Sequence, residues 1–403
     1  MRLSHTGFRA VLCLSTALMM ALSWPLWVSG GLFPKVPFLG GVRLLPVWAS
    51  WVRFAASLVA LVSASAGLWP KRSLWIALGI SAWMVLEDQF RLQPWMYQFL
   101  LMGLALAACP TEEAIGLCRL FLIALYFHSG LSKFDRSFEF GMGYQFLEVA
   151  MRPFHVEPHL WPLSQQVGAT LAMPAWEVAI AIGLVFRRTR PFALVGAVIQ
   201  HAALLAIVGP WGLNHSTGVL VWNASLIVEL LLLFGMVGVP VDTRSEVGCR
   251  LCQATRTMIL LAAILPFGER WGLWDTWPSF GFYASHNERM ILLVDPDAIE
   301  ACPKSMRRHG SVVKFGSNRD WTHVDLSAWS LAERGTPLYP AARALNGVAE
   351  AIAARYCSPH FLTVFHSGRA DRWTGQRSSL ELIGLPAIRR HGDTYLFNAH
   401  PMP

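Results

Sequence analysis

The chain has 403 residues, of which 54% are hydrophobic and only 14% charged, with a mean hydropathy of +0.42. Ordinary soluble domains carry about 25% charged residues, so this composition excludes a soluble globular protein and specifies a polytopic membrane protein whose first partner is the lipid bilayer. The formal net charge of +8 does not point to nucleic acid, because the basic residues are scattered over loops and a tail with no dense Lys/Arg block beside aromatics.

Apolar stretches of about 17 to 23 residues, long enough to cross roughly 30 Å of hydrocarbon as helix, fall at 8–29, 49–69, 73–89, 94–110, 116–133, 171–187, 191–209 and 217–239. A ninth, at 256–273, contains Pro266, Glu269 and Arg270 and reads either as a span or as a short interfacial helix. The first stretch has the basic start of a signal peptide, but its length and the lack of an A-x-A-like site predict a retained helix. The expected fold is an all-α membrane bundle of eight or nine transmembrane helices. Trp24 and Trp27, Trp48 and Trp51, and Trp271, Trp274 and Trp277 fall at stretch ends, where indole rings sit at lipid headgroups.

Orientation follows from the short loops. With the N-terminus inside, one side collects Arg2, Arg9, Lys71, Arg72, Arg119, Arg187, Arg188, Arg190, Arg244, Arg250 and Arg256, whereas the loop 210–216 has no Lys or Arg. This predicts a bacterial inner-membrane protein with a cytoplasmic N-terminus and, if the ninth stretch crosses, a periplasmic tail. Past residue 281 the chain becomes charged and Gly/Pro-punctuated, with β-prone runs at Met290–Val294, Ser311–Phe315, Phe361–Phe365 and Tyr395–Asn398 and a helical pattern over Pro340–Tyr356. The domain reading is N-terminal spans over 1–111, a core over 112–240, a juxtamembrane segment over 241–280 and a small C-terminal α+β extramembrane domain over 281–403.

The core carries the chemistry. His128, Lys133, Glu177, Gln200, His201, Asn223 and Glu229 lie in or at the ends of apolar helices, where ionisable groups are costly and face a bundle interior or water-filled site. Tyr126, Ser129 and Lys133 follow three- and four-residue steps and share one helix face, and Gly130 lets a neighbour approach it closely. Lys133 reads either as a snorkelling lysine or as a desolvated base or anion-binding group. Glu177 is expected to be a counter-charge to Lys133 or His201, since an unpaired buried carboxylate would protonate. His128 and His201 are core hydrogen-bonding residues, proton carriers or metal ligands. Asn214 and His215 follow a Gly-Pro-Trp-Gly turn and are placed at a cavity mouth.

No complete metal-ligand set is legible. Cys13, Cys109 and Cys118 lie in or beside spans as packing residues. Cys249 and Cys252 form a C-x-x-C, the spacing of thiol redox pairs and half a zinc site, but on the side predicted to be reducing. Cys302 and Cys357, on the opposite side, are candidates for a structural disulfide.

The order Tyr-Phe-x-Ser-Gly-Leu-Ser-Lys-Phe at Tyr126–Phe134, then Pro-x-x-Glu-x-x-x-x-x-Gly-Leu at Pro174–Leu184, an Arg turn and a third helix with a central His resembles the four-helix core of the DoxX/MauE family. The likeness covers residues 116–236. It implies a redox-associated accessory protein supporting electron transfer or maturation of a periplasmic redox partner, with a cavity for a quinone-like or other hydrophobic ligand. On that reading Lys133, Glu177 and His201 carry the chemistry, and Tyr126, His128, Ser129 and Asn223 hold the ligand. The segment Gly130–Asp135 with a multi-span bundle and an extramembrane tail also resembles the vitamin K-dependent carboxylase-like membrane proteins, which implies an enzyme with Lys133 as base. A non-catalytic scaffold recruiting a partner through its tail is the third class. Convergence of Tyr126, Lys133, Glu177 and His201 on one cavity would separate the first two from the third.

Overall fold

A computed structural model describes residues 2–28, 30–42, 45–235, 250–315, 319–357 and 361–402. Over the described residues, each apolar stretch folds mainly as helix, because a hydrocarbon environment leaves backbone groups no partner but one another; residues 236–239 of the last strong stretch lie outside them. The bundle comprises α1 (Arg2–Leu22), α2 (Val47–Ser65), α3 (Pro70–Glu87), α4 (Pro94–Ala108), α5 (Thr111–Ser132), α7 (Leu163–Val185), α8 (Arg190–Val208), α9 (Thr217–Phe234) and α10 (Arg250–Ile264), with a short α6 (Met142–Met151) between α5 and α7. Proline opens α3 and α4, where its missing N–H costs nothing, and Glu112 and Glu113 sit in the first turn of α5, where the helix dipole favours negative charge.

Seven helices are long and apolar enough to cross a membrane, among them α10 continued by the 3-10 turn Leu265–Trp271. The expected stretches 73–89 and 94–110 are helical too, but α3 carries Lys71, Arg72 and Glu87 and α4 is only 15 residues long. The described helices therefore support a multi-pass membrane protein, with seven spans by length and apolarity where eight or nine are expected. α1 packs against α9, α2 and α4; α5 packs against α7, α4 and α10; and α8 bridges α7 and α9.

The C-terminal region forms an antiparallel sheet of five strands, β1 (Arg289–Val294), β2 (Gly310–Phe315), β3 (Arg319–Val324), β4 (Leu362–Ser367) and β5 (Ser379–Ile383), in the order β2-β3-β1-β4-β5. Leu292, Val294, Val324, Leu362, Val364 and Leu382 alternate onto one buried face, which α12 (Ala342–Tyr356) and α13 (Gly384–Gly392) cover. A further helix, α11 (Leu326–Arg334), follows β3. The expected strand at Tyr395–Asn398 is irregular instead, because its backbone turns to hydrogen-bond the N-terminal segment: Asn398 N donates to Phe38 O. Sequence patterning missed β3 and β5, whose polar alternation carries no apolar run.

Buried polar contacts dock this domain on the bundle. Arg334 donates to Phe33 O and Pro34 O at 3.2 and 2.7 Å and pairs with Asp88 at 3.3 Å. Asp275 accepts from Tyr339 Oη and Arg343 Nη1, each at 2.6 Å, and the Gln89 amide donates to Asn398 O. All of these attach at the bundle end where α3 and α5 finish and α4 begins.

Candidate functional site

Close approach of α5 and α7 creates the site. A Cβ on Gly130 would stand 2.7 Å from Pro174 O, 2.8 Å from Val178 Cγ2 and 3.1 Å from Glu177 Cβ, so only glycine admits this contact. It brings Lys133, 3% exposed, against Glu177, 8% exposed. The Lys133 ammonium donates to Glu177 Oε2 at 2.7 Å and Oε1 at 3.0 Å, and to Ser129 Oγ at 2.7 Å and Ser129 O at 3.0 Å. Four acceptors surround three N–H donors, so the charge is fully compensated and the pair is held shut. Lys133 is therefore not snorkelling; it turns inward to its expected counter-ion.

Two turns back along α5 from Lys133, at Tyr126, α8 and α9 contribute a second polar unit. His201 Nδ1 lies 2.9 Å from Asn223 Oδ1, while Asn223 Nδ2 donates to Val219 O at 2.9 Å. The amide orientation leaves Oδ1 as acceptor, so Nδ1 carries the imidazole proton and Nε2 presents a lone pair to the Tyr126 hydroxyl, which hydrogen-bonds it. The result is a neutral imidazole that can receive the phenol proton, with its tautomer fixed from behind.

Both units open onto one cavity of about 440 Å³, and Tyr126, Ser129, Lys133, Glu177, Gln200, His201 and Asn223 all line it. The remaining wall is apolar, including Leu125, Phe138, Phe146 and Leu226. Trp176 of α7 and Ile199 of α8, 49% and 58% exposed, belong to both the cavity wall and the outer surface of the bundle. The cavity thus has a flank on the outer surface of the bundle. Trp222, Phe282 and Tyr283 form the wall it shares with a second cavity of about 550 Å³, beneath the C-terminal domain, which Asn214 and His215 line as the sequence leads one to expect.

His128 does not join them. Two positions beyond Tyr126 on a helix, it faces α10, where its Nε2 meets Ala263 O at 2.8 Å and its ring packs on Phe267. It is a packing residue between α5 and α10 rather than a ligand contact.

Sequence reasoning missed a buried polar junction immediately after Lys133. His286 Nδ1 is 2.7 Å from Asp135 Oδ2, and its Nε2 is 3.1 Å from Glu269 Oε2. Ionised carboxylates only accept, so both ring nitrogens donate and the group is an imidazolium. Burial by itself would lower the His286 pKa, but hydrogen bonds and charge from Asp135 and Glu269 outweigh it and raise the pKa above the ordinary histidine value. Burial likewise opposes ionisation of Asp135, yet His286, the Phe138 N–H and Arg270 hold its pKa below the usual carboxylate range. Asp135 Oδ1 also accepts from Phe138 N at 2.7 Å, tying the junction to a wall residue of the cavity. No motif announced this: His286 is 151 residues from Asp135.

The cysteines pair differently from expectation. Cys252 forms a disulfide with Cys109, 143 positions away, with 4.9 Å between their Cα atoms; Cys249 lies outside the described residues. Spacing drew attention to the nearer cysteine, whereas packing of α4 against α10 selects the distant one. Cys302 and Cys357 are free thiols, and Cys302 Sγ donates to Ala298 O at 3.8 Å. Among the described residues, Cys109, Glu113 and Cys252 bring metal-ligand atoms together, but both sulfurs are in the disulfide and Glu113 is paired with Arg256.

No protein-family model, curated protein or solved structure matches this chain.

Proposed function

We propose that the chain is an integral membrane, redox-associated accessory protein that binds a quinone-like ligand in the cavity between α5, α7, α8 and α9. The observation carrying this reading is the convergence of Tyr126, Lys133, Glu177 and His201 on one largely apolar cavity. A scaffold has no need of such convergence, and ionisable groups gathered on one apolar cavity are the usual mark of a ligand or proton site. The residues fit an amphipathic ring compound: Gln200 lines the cavity with its Oε1 buried and unpartnered, an acceptor for a ligand hydroxyl, and the flank at Trp176 and Ile199 admits a lipophilic molecule from the bilayer. A quinone supplies paired electron and proton chemistry when bound. The chain would orient its head group with Gln200 and Ser129 and move a proton between Tyr126 Oη and His201 Nε2.

This reading keeps the resemblance to DoxX/MauE proteins as its source for the redox role and a periplasmic redox protein as partner. The alternative of Lys133 as enzymatic base is less well supported, because its ammonium is closed in by Ser129 and Glu177. The short connections between α2, α3, α4 and α5, and the packing of each on the next, support nine crossings of a bacterial inner membrane, with the arginine-rich ends of α1, α8 and α10 cytoplasmic and the sheet domain periplasmic. Solvent extraction of the purified protein followed by mass spectrometry tests the reading. A quinone retained by the wild type and lost from His201→Ala and Gln200→Leu is expected; extraction of bulk phospholipid alone would overturn it.

A further inference from the structure

Glu229 takes no part in either site above, yet among the described residues it is a fully buried acid with no ion-pair partner. It is 0% exposed, lies on α9 five residues before the helix ends, and contributes nothing to the cavity wall. Every other buried carboxylate described so far meets a cation: Glu177 meets Lys133, Asp135 meets Arg270, Glu269 meets Arg369, and Glu87 meets both Arg53 and Arg91. Glu229 meets only an amide. Gln98 Nε2 donates to its Oε2 at 2.5 Å, and Oε1 is buried with no hydrogen-bond partner.

The orientation of that amide assigns the proton. Trp222 Nε1, which can only donate, points at Gln98 Oε1 at 2.9 Å, so Gln98 must present its NH₂ to Glu229. Oε2 of Glu229 is therefore the carbonyl-type acceptor. An ionised carboxylate with one donor and no cation is not sustainable in this medium, so the acid proton belongs on Oε1. That oxygen has no acceptor to lock it in place. The Cys118 thiol and Tyr126 phenol on α5 interact with Glu229 electrostatically and neither is a cation, while the α5 guanidinium of Arg119 donates instead to Leu233 O.

We infer that Glu229 is a membrane-buried proton-binding site, occupied as a neutral carboxylic acid at neutral pH, with Oε1 as the oxygen through which the proton is exchanged. The inference rests on packing and hydrogen-bond direction and holds whether or not a quinone binds the neighbouring cavity. Its charge state is felt electrostatically at the Tyr126 phenol of the phenol–imidazole pair.

Infrared spectroscopy of the full-length protein in liposomes tests it. The wild type at neutral pH is expected to show the carbonyl-stretch band of a buried protonated carboxyl, and Glu229→Gln is expected to remove it. Absence of that band in the wild type, or a band that Glu229→Gln leaves unchanged, overturns the inference. If Glu229→Gln fails to accumulate, Glu229→Asp is expected to shift the band. If neither variant accumulates, dicyclohexylcarbodiimide decides on the wild type, since it adds across the O–H of a neutral acid and leaves an N-acylurea with no group expelled. Peptide mapping is then expected to place the adduct on Glu229 and to spare the ion-paired Glu177 and Glu87; no adduct on Glu229 at mildly acidic pH overturns the inference.

Discussion

Lys133 Nζ and Glu177 Oε2 meet at 2.7 Å inside the bundle, with Glu177 Oε1 and two oxygens of Ser129 as the further acceptors. Removing one partner strands the other charge in a low-dielectric interior, at a cost of about 3–5 kcal/mol, whereas removing both does not. Lys133→Met and Glu177→Gln should each lower the unfolding temperature in detergent, and the double variant should lose less than the sum. Additive losses in that cycle would show that the two groups are not coupled.

The contact beneath that pair can be tested separately. A methyl group at position 130 would overlap Pro174 O and Val178 Cγ2, and relieving the overlap means moving α5 away from α7. Gly130→Ala is expected to destabilise the protein by about 1–3 kcal/mol. Gly79, around which nothing lies within 4 Å, is the matched control, and Gly79→Ala should be neutral or slightly stabilising in the same thermal assay.

The His286 junction makes stability pH-dependent at both ends. His286 has a folded-state pKa raised above its unfolded value, so its contribution is fully present below about 6.5 and is lost as pH rises through the folded value. Asp135 has a depressed folded-state pKa, so its contribution is present above about 3.9 and is lost as pH falls through the folded value. Unfolding temperature should therefore decline on the alkaline side in the wild type. In His286→Gln that alkaline decline should be shallower from a lower plateau, and an unchanged slope would mean another group controls it.

The disulfide predicts a labelling pattern. Cys252→Ser should expose Cys109 to maleimide under denaturing, non-reducing conditions, whereas Cys249→Ser should add no reactive thiol at position 109. Closing so long a loop is worth about 4–5 kcal/mol in the chain-entropy account, so the Cys252→Ser variant should also unfold earlier.

Orientation can be read by placing one new cysteine at the start of α8 and another on the sheet. With an impermeant maleimide on intact cells, Asp320→Cys should label above the parent protein's background and Thr189→Cys only after lysis. The reverse pattern would invert the proposed topology.

The helices and the Lys133–Glu177 pair were legible because their signals are local: apolar length, helical spacing and the cost of an uncompensated charge. Tyr126, Ser129 and Lys133 converge as their i, i+3, i+7 spacing requires, and the same spacing, read strictly, would have turned His128 away. What stayed hidden depends on long-range packing. Nothing near Cys252 announces Cys109, nothing near Asp135 announces His286, and the tail residues Phe282 and Tyr283 enter the cavity wall from a loop that composition marks only as the end of the membrane region.

The helix α10 is fastened at both ends, to α4 through Cys252–Cys109 and to the loop after α5 through Glu269, His286 and Asp135. A rod clamped in this way cannot serve as a hinge. Force applied to the sheet domain, by a docked partner or by an optical tether, would load the bundle helices directly and reach the wall at Phe138 through Asp135. The two parts of the chain would respond as a single mechanical body, and a pulling experiment should show one cooperative rip for the sheet domain and α10 together.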